Sequence, residues 1–135
     1  MDRKRKGTLN RVLVGVILLG GMLVAGLVCA ASLSRHHSAM AADLEEAAWA
    51  ALSEDWDTAQ TLATSTRQKW RKSQSLITTV ADHRPMDEIQ ALLDRLPVYL
   101  ARRDPGEFAA VCAELSSRLS TLAQSHQLNL QNLLE

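Results

Sequence analysis

Cysteine, proline, glycine and aromatic side chains are all scarce in this chain, and each scarcity removes a class of protein. Two cysteines, Cys29 and Cys112, sit in unlike surroundings. They exclude a disulfide scaffold, a CxxC redox site and a multi-cysteine zinc cluster. Three prolines and six glycines exclude a collagen-like chain or proline-rich disorder. Neither sign of charge is in excess, with 15 basic and 15 acidic residues, so there is no electrostatic footprint for nucleic acid. Enzyme signatures are missing too: no GxSxG, SxxK, HExxH or glycine-rich phosphate loop occurs. A length of 135 residues fits one domain and not two independent cores. The expectation is a protein that is not an enzyme and needs no cofactor.

What is present is unevenly spread. Residues 1–11 hold Arg3, Lys4, Arg5, Lys6 and Arg11 against Asp2, a net +4, and the remainder carries −4. Between the two lies Val12 to Ala31, twenty residues without a charge. At 1.5 Å per residue, about 20 residues cross the ~30 Å hydrocarbon core of a bilayer. A helix also satisfies every backbone amide internally there. The basic side stays cytoplasmic, so the expected topology is N-terminus inside and the rest outside, in the cell membrane, crossing once. A signal peptide cut near Cys29-Ala30-Ala31 is the rival reading, but an apolar run of this length exceeds the usual ~7–15 residues of such a segment. Gly21, Ala25 and Cys29 recur every four residues, a spacing that lets helices approach closely in lipid. Small residues are also common in any membrane helix.

Past Ser34 the sequence favours helix and offers no strand-period segment. Helices are expected at about 38–52, 56–81, 86–102 and 105–126, with the first either separate or a continuation of the membrane helix outward. Asp82-His83-Arg84-Pro85 breaks the second from the third, because proline disfavours helix in the residue before it. Asp104-Pro105-Gly106-Glu107 reads as a helix start, with an acid cap and a proline at the first helical position. Trp56, Ala59, Ala63, Thr66, Trp70, Ser73, Ile77 and Val80 keep a 3–4 spacing. So do Met86, Ile89, Leu93, Leu96 and Leu100 on the third helix, and Phe108, Val111, Leu115, Leu119 and Leu122 on the fourth. Such stripes are packing seams. Arg67, Lys69, Arg71, Lys72, Glu88, Arg95 and Glu114 fall on the opposite, solvated faces. The expected fold is all-α, a transmembrane helix followed by an antiparallel three- to four-helix bundle. The expected organisation is a basic N-terminus (1–11), a transmembrane helix (12–33), an external bundle (34–127) and an apolar tail (128–135).

Few residues invite chemistry. His83 with Asp87 and Glu88 are weak metal candidates, since three or four converging ligands are normally needed. A helix N-terminus favours carboxylates without any ligand. His36 and His37 follow the apolar run and read as interface anchors. Cys112 reads as a buried, inert thiol. Tryptophans 49, 56 and 70 differ by multiples of seven, which reads as core packing rather than a ligand cluster.

The anchor, Glu54-Asp55-Trp56 with Ala59, Trp70, Asp82-His83, Asp87-Glu88-Ile89, the Leu92–Leu100 stretch and the closing Leu128-Asn129-Leu130-Gln131-Asn132-Leu133 occur in order along nearly the whole chain. In this the chain resembles a family of short bacterial single-span proteins catalogued as domain of unknown function 4363. The resemblance implies a membrane-anchored helical protein and assigns no activity. Where that family often has an acidic residue two after the histidine, this chain has Pro85, which removes a possible ligand.

The function expected from all this is an interaction or accessory module for another membrane or envelope protein. The alternative is an extracytoplasmic bundle that senses a ligand or metal and acts through a membrane partner. The expected partners are the lipid bilayer and a membrane protein, with a homo-oligomer left open and no nucleic acid.

Overall fold

The computed structural model describes residues 2–77 and 84–134, with side chains over 7–75, 84–125 and at Leu128. It has four helices and no strand among these residues: α1 (Asp2–Leu52), α2 (Trp56–Ile77), α3 (Arg84–Arg102) and α4 (Pro105–Leu134). The helical bundle follows from what the sequence withholds. No glycine or proline occurs between Gly26 and Pro85, so nothing stops the apolar helix at the expected boundary near residue 33. α1 is therefore one rod of 51 residues, in which the first bundle helix continues the apolar one. α4 likewise runs on to Leu134 instead of ending near 126, so the apolar tail is its last turns. The expected end of α2 at 81 and the seam position Val80 lie outside the described residues. So does the side chain of Ile77.

Two tight corners turn the chain, and they are built alike. After α1, Glu54 takes a left-handed conformation (φ 62°). The amides of Glu54 and Asp55 donate back to the carbonyls of Ala51 and Ala50, at 3.0 and 2.8 Å. After α3, Arg103 does the same (φ 49°), with the amides of Arg103 and Asp104 reaching the carbonyls of Leu100 and Tyr99. This double bond back to the third- and second-last turn positions is the Schellman closure of a helix. Each corner then passes straight into a cap. Asp55 Oδ1 accepts from the amide of Thr58, and Asp104 Oδ1 from the amide of Glu107, both at 3.2 Å. Side-chain oxygens at such positions satisfy amides that the first turn leaves unpaired.

Successive helices thus run antiparallel, and α1 packs mainly on α4, next on α2, while α2 and α3 touch least. The core seam on α1 is Met40, Ala41, Leu44, Ala47 and Ala51. It shares one core with Ala59, Ala63 and Trp70 of α2, Ile89, Leu92, Leu93 and Leu96 of α3, and Phe108, Val111, Cys112, Leu115 and Leu119 of α4. The alanines Ala47, Ala51, Ala59 and Ala63 flank the corner between α1 and α2. Burying each Leu, Ile or Phe of this set contributes about 1.5–3 kcal/mol. Trp56 is half-buried, edge-on to Phe108 with centroids 6.2 Å apart.

Each seam also carries a polar clasp. Lys69 reaches Asp43 across α1–α2 at 2.6 Å, and Arg67 reaches Asp94 across α2–α3 at 3.4 Å. Arg118 pairs with Glu88 across α3–α4 and with Glu114 one turn back on α4. Ser116 donates to Glu45 across α4–α1 at 2.9 Å. Arg67, Lys69 and Glu88 therefore border the seams, rather than facing solvent alone as their sequence positions indicate. Their long side chains lean across the edge of the helix face to meet an opposite charge.

Candidate functional site

The most unusual chemistry lies at the end of the bundle nearer the apolar rod, where polar side chains enter the core. Ser34 and His37 on α1 and Thr66 and Ser73 on α2 are buried, around the buried Trp70. The 3–4 spacing that builds the apolar seams also brings these residues inward. Ser34 and His37 continue the α1 stripe toward its N-terminus, while Thr66, Trp70 and Ser73 continue that of α2. Ser34 Oγ donates to the carbonyl of Ala123 on α4 at 3.2 Å, and Ser73 Oγ to the carbonyl of Trp70 at 2.8 Å. The imidazole of His37 lies against the Trp70 indole, with centroids 6.1 Å apart and planes at 44°. Among the described residues, Thr66 Oγ1 and Trp70 Nε1 have no hydrogen-bond partner. Leaving a buried polar group unpaired costs about 1–3 kcal/mol. The cluster therefore presents an indole N–H and a hydroxyl that a small polar molecule could engage. It has one imidazole and no carboxylate.

His37 corrects an expectation. Only His36 is exposed, while His37 is fully buried, so the pair is split between solvent and core. The signal was available: Ser34, His37, Met40 or Ala41, Leu44, Ala47 and Ala51 follow helical spacing without a break. Trp49 corrects another, for it is 71% exposed. Its spacing of seven from Trp56 spans the corner at Ser53–Asp55, which resets the helical phase, so the multiple of seven carries no packing information.

Of the metal candidates, His83 lies outside the described residues. Asp87 and Glu88 are exposed at the start of α3, and Glu88 is engaged by Arg118. Among the described residues no group of three or more His, Cys, Asp or Glu gathers to hold a metal. The guanidinium of Arg118, hydrogen-bonded first by Glu114 and then by Glu88, is held above its ordinary value. Of the seam residues, Trp70, Ile89, Leu93, Leu96, Leu115 and Leu119 are buried and Trp56 is half-buried. The thin α2–α3 contact leaves an open groove of about 260 Å³ lined by Ala63, Thr64, Arg67, Leu96 and Pro97. Pro97 has no N–H to offer the carbonyl of Leu93. Gly21, Ala25 and Cys29 are exposed along the apolar rod.

A short helical bundle carried on a helix long and apolar enough to cross a membrane is the class that this architecture defines. The chain belongs to the family described as a domain of unknown function (DUF4363), whose model matches residues 27–133. No curated protein matches the chain, and no solved structure does.

Proposed function

We propose that the protein is a single-pass membrane protein without catalytic activity, whose bundle serves as an interaction or accessory module for another membrane or envelope protein. The five basic residues before the apolar run support an orientation with the N-terminus cytoplasmic and the bundle on the far side of the cell membrane. The observation that carries the interaction reading is Trp49. It is a large aromatic side chain left 71% exposed, on the helix that joins bundle and membrane segment without a break. Exposed tryptophans are the side chains that contribute most when a partner buries them. The test is affinity capture of the full chain from solubilised membranes, beside a Trp49→Ala variant of equal melting temperature. A specific membrane or envelope protein retained by the first and lost by the second is expected. Equal recovery by both, or no specific protein at all, overturns the reading.

A second reading is favoured by the polar cluster around Trp70. A bundle that binds a small ligand at Thr66 and Trp70 would pass the change along α1 to a partner in the membrane, since the same helix forms both. Thermal-shift screening of the full chain in detergent, against metals and polar metabolites, distinguishes the two. Uniformly flat responses sink this second reading.

A further inference from the structure

The apolar end of α4 lies beside the apolar rod of α1, and two independent observations support that placement. The first is register. Ser34 on α1 bonds Ala123 on α4, and Glu45 bonds Ser116, so the two helices run antiparallel with positions near 34 facing positions near 123. From Ala123 to Leu134, eleven residues of helix extend about 16 Å, toward the level of Leu23 on α1. The second is burial. The inward stripe of α1 does not stop at Ser34 but continues through half-buried Ala31, Ala30 and Leu27, whereas every residue from Gly7 to Gly26 is exposed.

Charge follows the same geometry. Arg35 is the first charged residue after the apolar run, and its level on α4 is near Gln124. Beyond that level α1 carries no Asp, Glu, Lys or Arg until Arg11, and α4 carries none from Leu119 to Leu134, with Glu135 the next charged residue. Leu128 is 59% exposed there, and Leu130, Leu133 and Leu134 follow in sequence. A water-facing helix end would place these leucines in the wrong solvent. Asn129, Gln131 and Asn132 suit the headgroup layer, where amides find water. The combination matches a segment lying ~5–10 Å deep in the headgroup and acyl boundary.

We propose that the last turns of α4, Leu128 to Leu134, enter the bilayer beside the end of the membrane-spanning stretch of α1, making a second, shallow contact with lipid. This rests on the reading of α1 as a membrane anchor. It gives the bundle two points of attachment on one face of the membrane, so the bundle cannot swing freely about a single helix.

Site-directed spin labelling of the full chain in phosphatidylethanolamine–phosphatidylglycerol vesicles tests it. Cys29→Ala provides the background, because Cys112 is sealed in the core. Single cysteines replace Val16, Thr121, Leu128, Gln131 and Leu134, each kept only if its helix melts with the parent. Oxygen reports lipid and a water-soluble nickel chelate reports water. Val16 is expected to be oxygen-dominated and Thr121 nickel-dominated. The oxygen-to-nickel ratio should rise severalfold at Leu128 and further at Leu134. Nickel access at Leu128 and Leu134 equal to that at Thr121 overturns the proposal, and so does shielding of both from both reagents, which would mean a protein covers them. Nickel access at Val16 overturns the anchor reading itself, an outcome separate from failure at α4 alone.

Discussion

Glu54 and Arg103 hold the same left-handed backbone conformation at equivalent corners, each one residue before the aspartate that caps the next helix. A side chain there crowds the following carbonyl, at a cost of about 1–2 kcal/mol. Glycine avoids that crowding and gives back part of the gain through the entropy of the unfolded chain. Glu54→Gly and Arg103→Gly should each stabilise the bundle by about 0.5–1 kcal/mol, and the double variant should exceed either single one. Thermal unfolding in detergent, followed by helical circular dichroism, reads the effect. A fall in melting temperature would show that the Glu54 and Arg103 side chains hold the corners in some other way.

The two caps predict different pH behaviour from hydrophobic packing. Hydrogen bonds from Thr58, its side chain first and its amide second, hold the Asp55 carboxyl below its ordinary value. A carboxyl depressed in the folded state adds stability above its unfolded value, near pH 4. That stability is lost as the pH falls through the lower, folded value. Wild-type melting temperature should therefore drop below about pH 4 more steeply than that of Asp55→Asn, which keeps an acceptor but does not titrate. At the other corner, Asp104→Ala should cost about 1 kcal/mol at neutral pH. Parallel acid titrations of wild type and Asp55→Asn would sink the first of these claims.

Much of the architecture was legible because helix punctuation is local chemistry. Asp104-Pro105-Gly106-Glu107 announces the start of α4, and α4 begins at Pro105. The all-helical fold follows from the apolar spacing of Ile89, Leu93 and Leu96, which are buried. What spacing could not supply is phase across a corner. Trp49 and Trp56 look like one stripe, yet the left-handed residue between them rotates one outward. Nor could local signals end α4, because nothing between Ser125 and Leu134 breaks a helix. The polar cluster was legible only in part, for helical spacing turns His37 inward without saying what it meets. A histidine beside a membrane segment reads as an interface anchor until the register of α1 against α2 is known, and that register is a property of the whole bundle.

Thr66 offers a direct probe of that cluster. Its Oγ1 is buried without a partner among the described residues, so the hydroxyl is a net cost to the folded chain. Thr66→Val keeps the shape and removes the hydroxyl, and should stabilise the protein by about 1 kcal/mol. Should the cluster bind a polar molecule in the preparation, the variant would instead be less stable, and the deficit would vanish on exhaustive dialysis. Comparing melting temperatures before and after dialysis separates these outcomes.

Cys112 provides the clearest pH signature at the alkaline end. It is fully buried among Val111, Leu115 and Phe108, and burial pushes its thiol from an ordinary 9.0 up to about 12. The unfolded chain therefore releases this proton from about pH 9 upward, while the folded chain keeps it. Above that pH the unfolded state binds fewer protons, so stability declines between the two values. Cys112→Ala removes the effect at the cost of a small cavity in the core. The variant should melt below wild type at pH 7, and the gap should close as the pH rises past about 9. In a Cys29→Ala background, a maleimide should label Cys112 only as fast as the bundle unfolds, because the thiolate is the reactive form. Labelling of the native chain at the rate of a free thiol would show that α4 opens locally and that the core around Cys112 is not sealed.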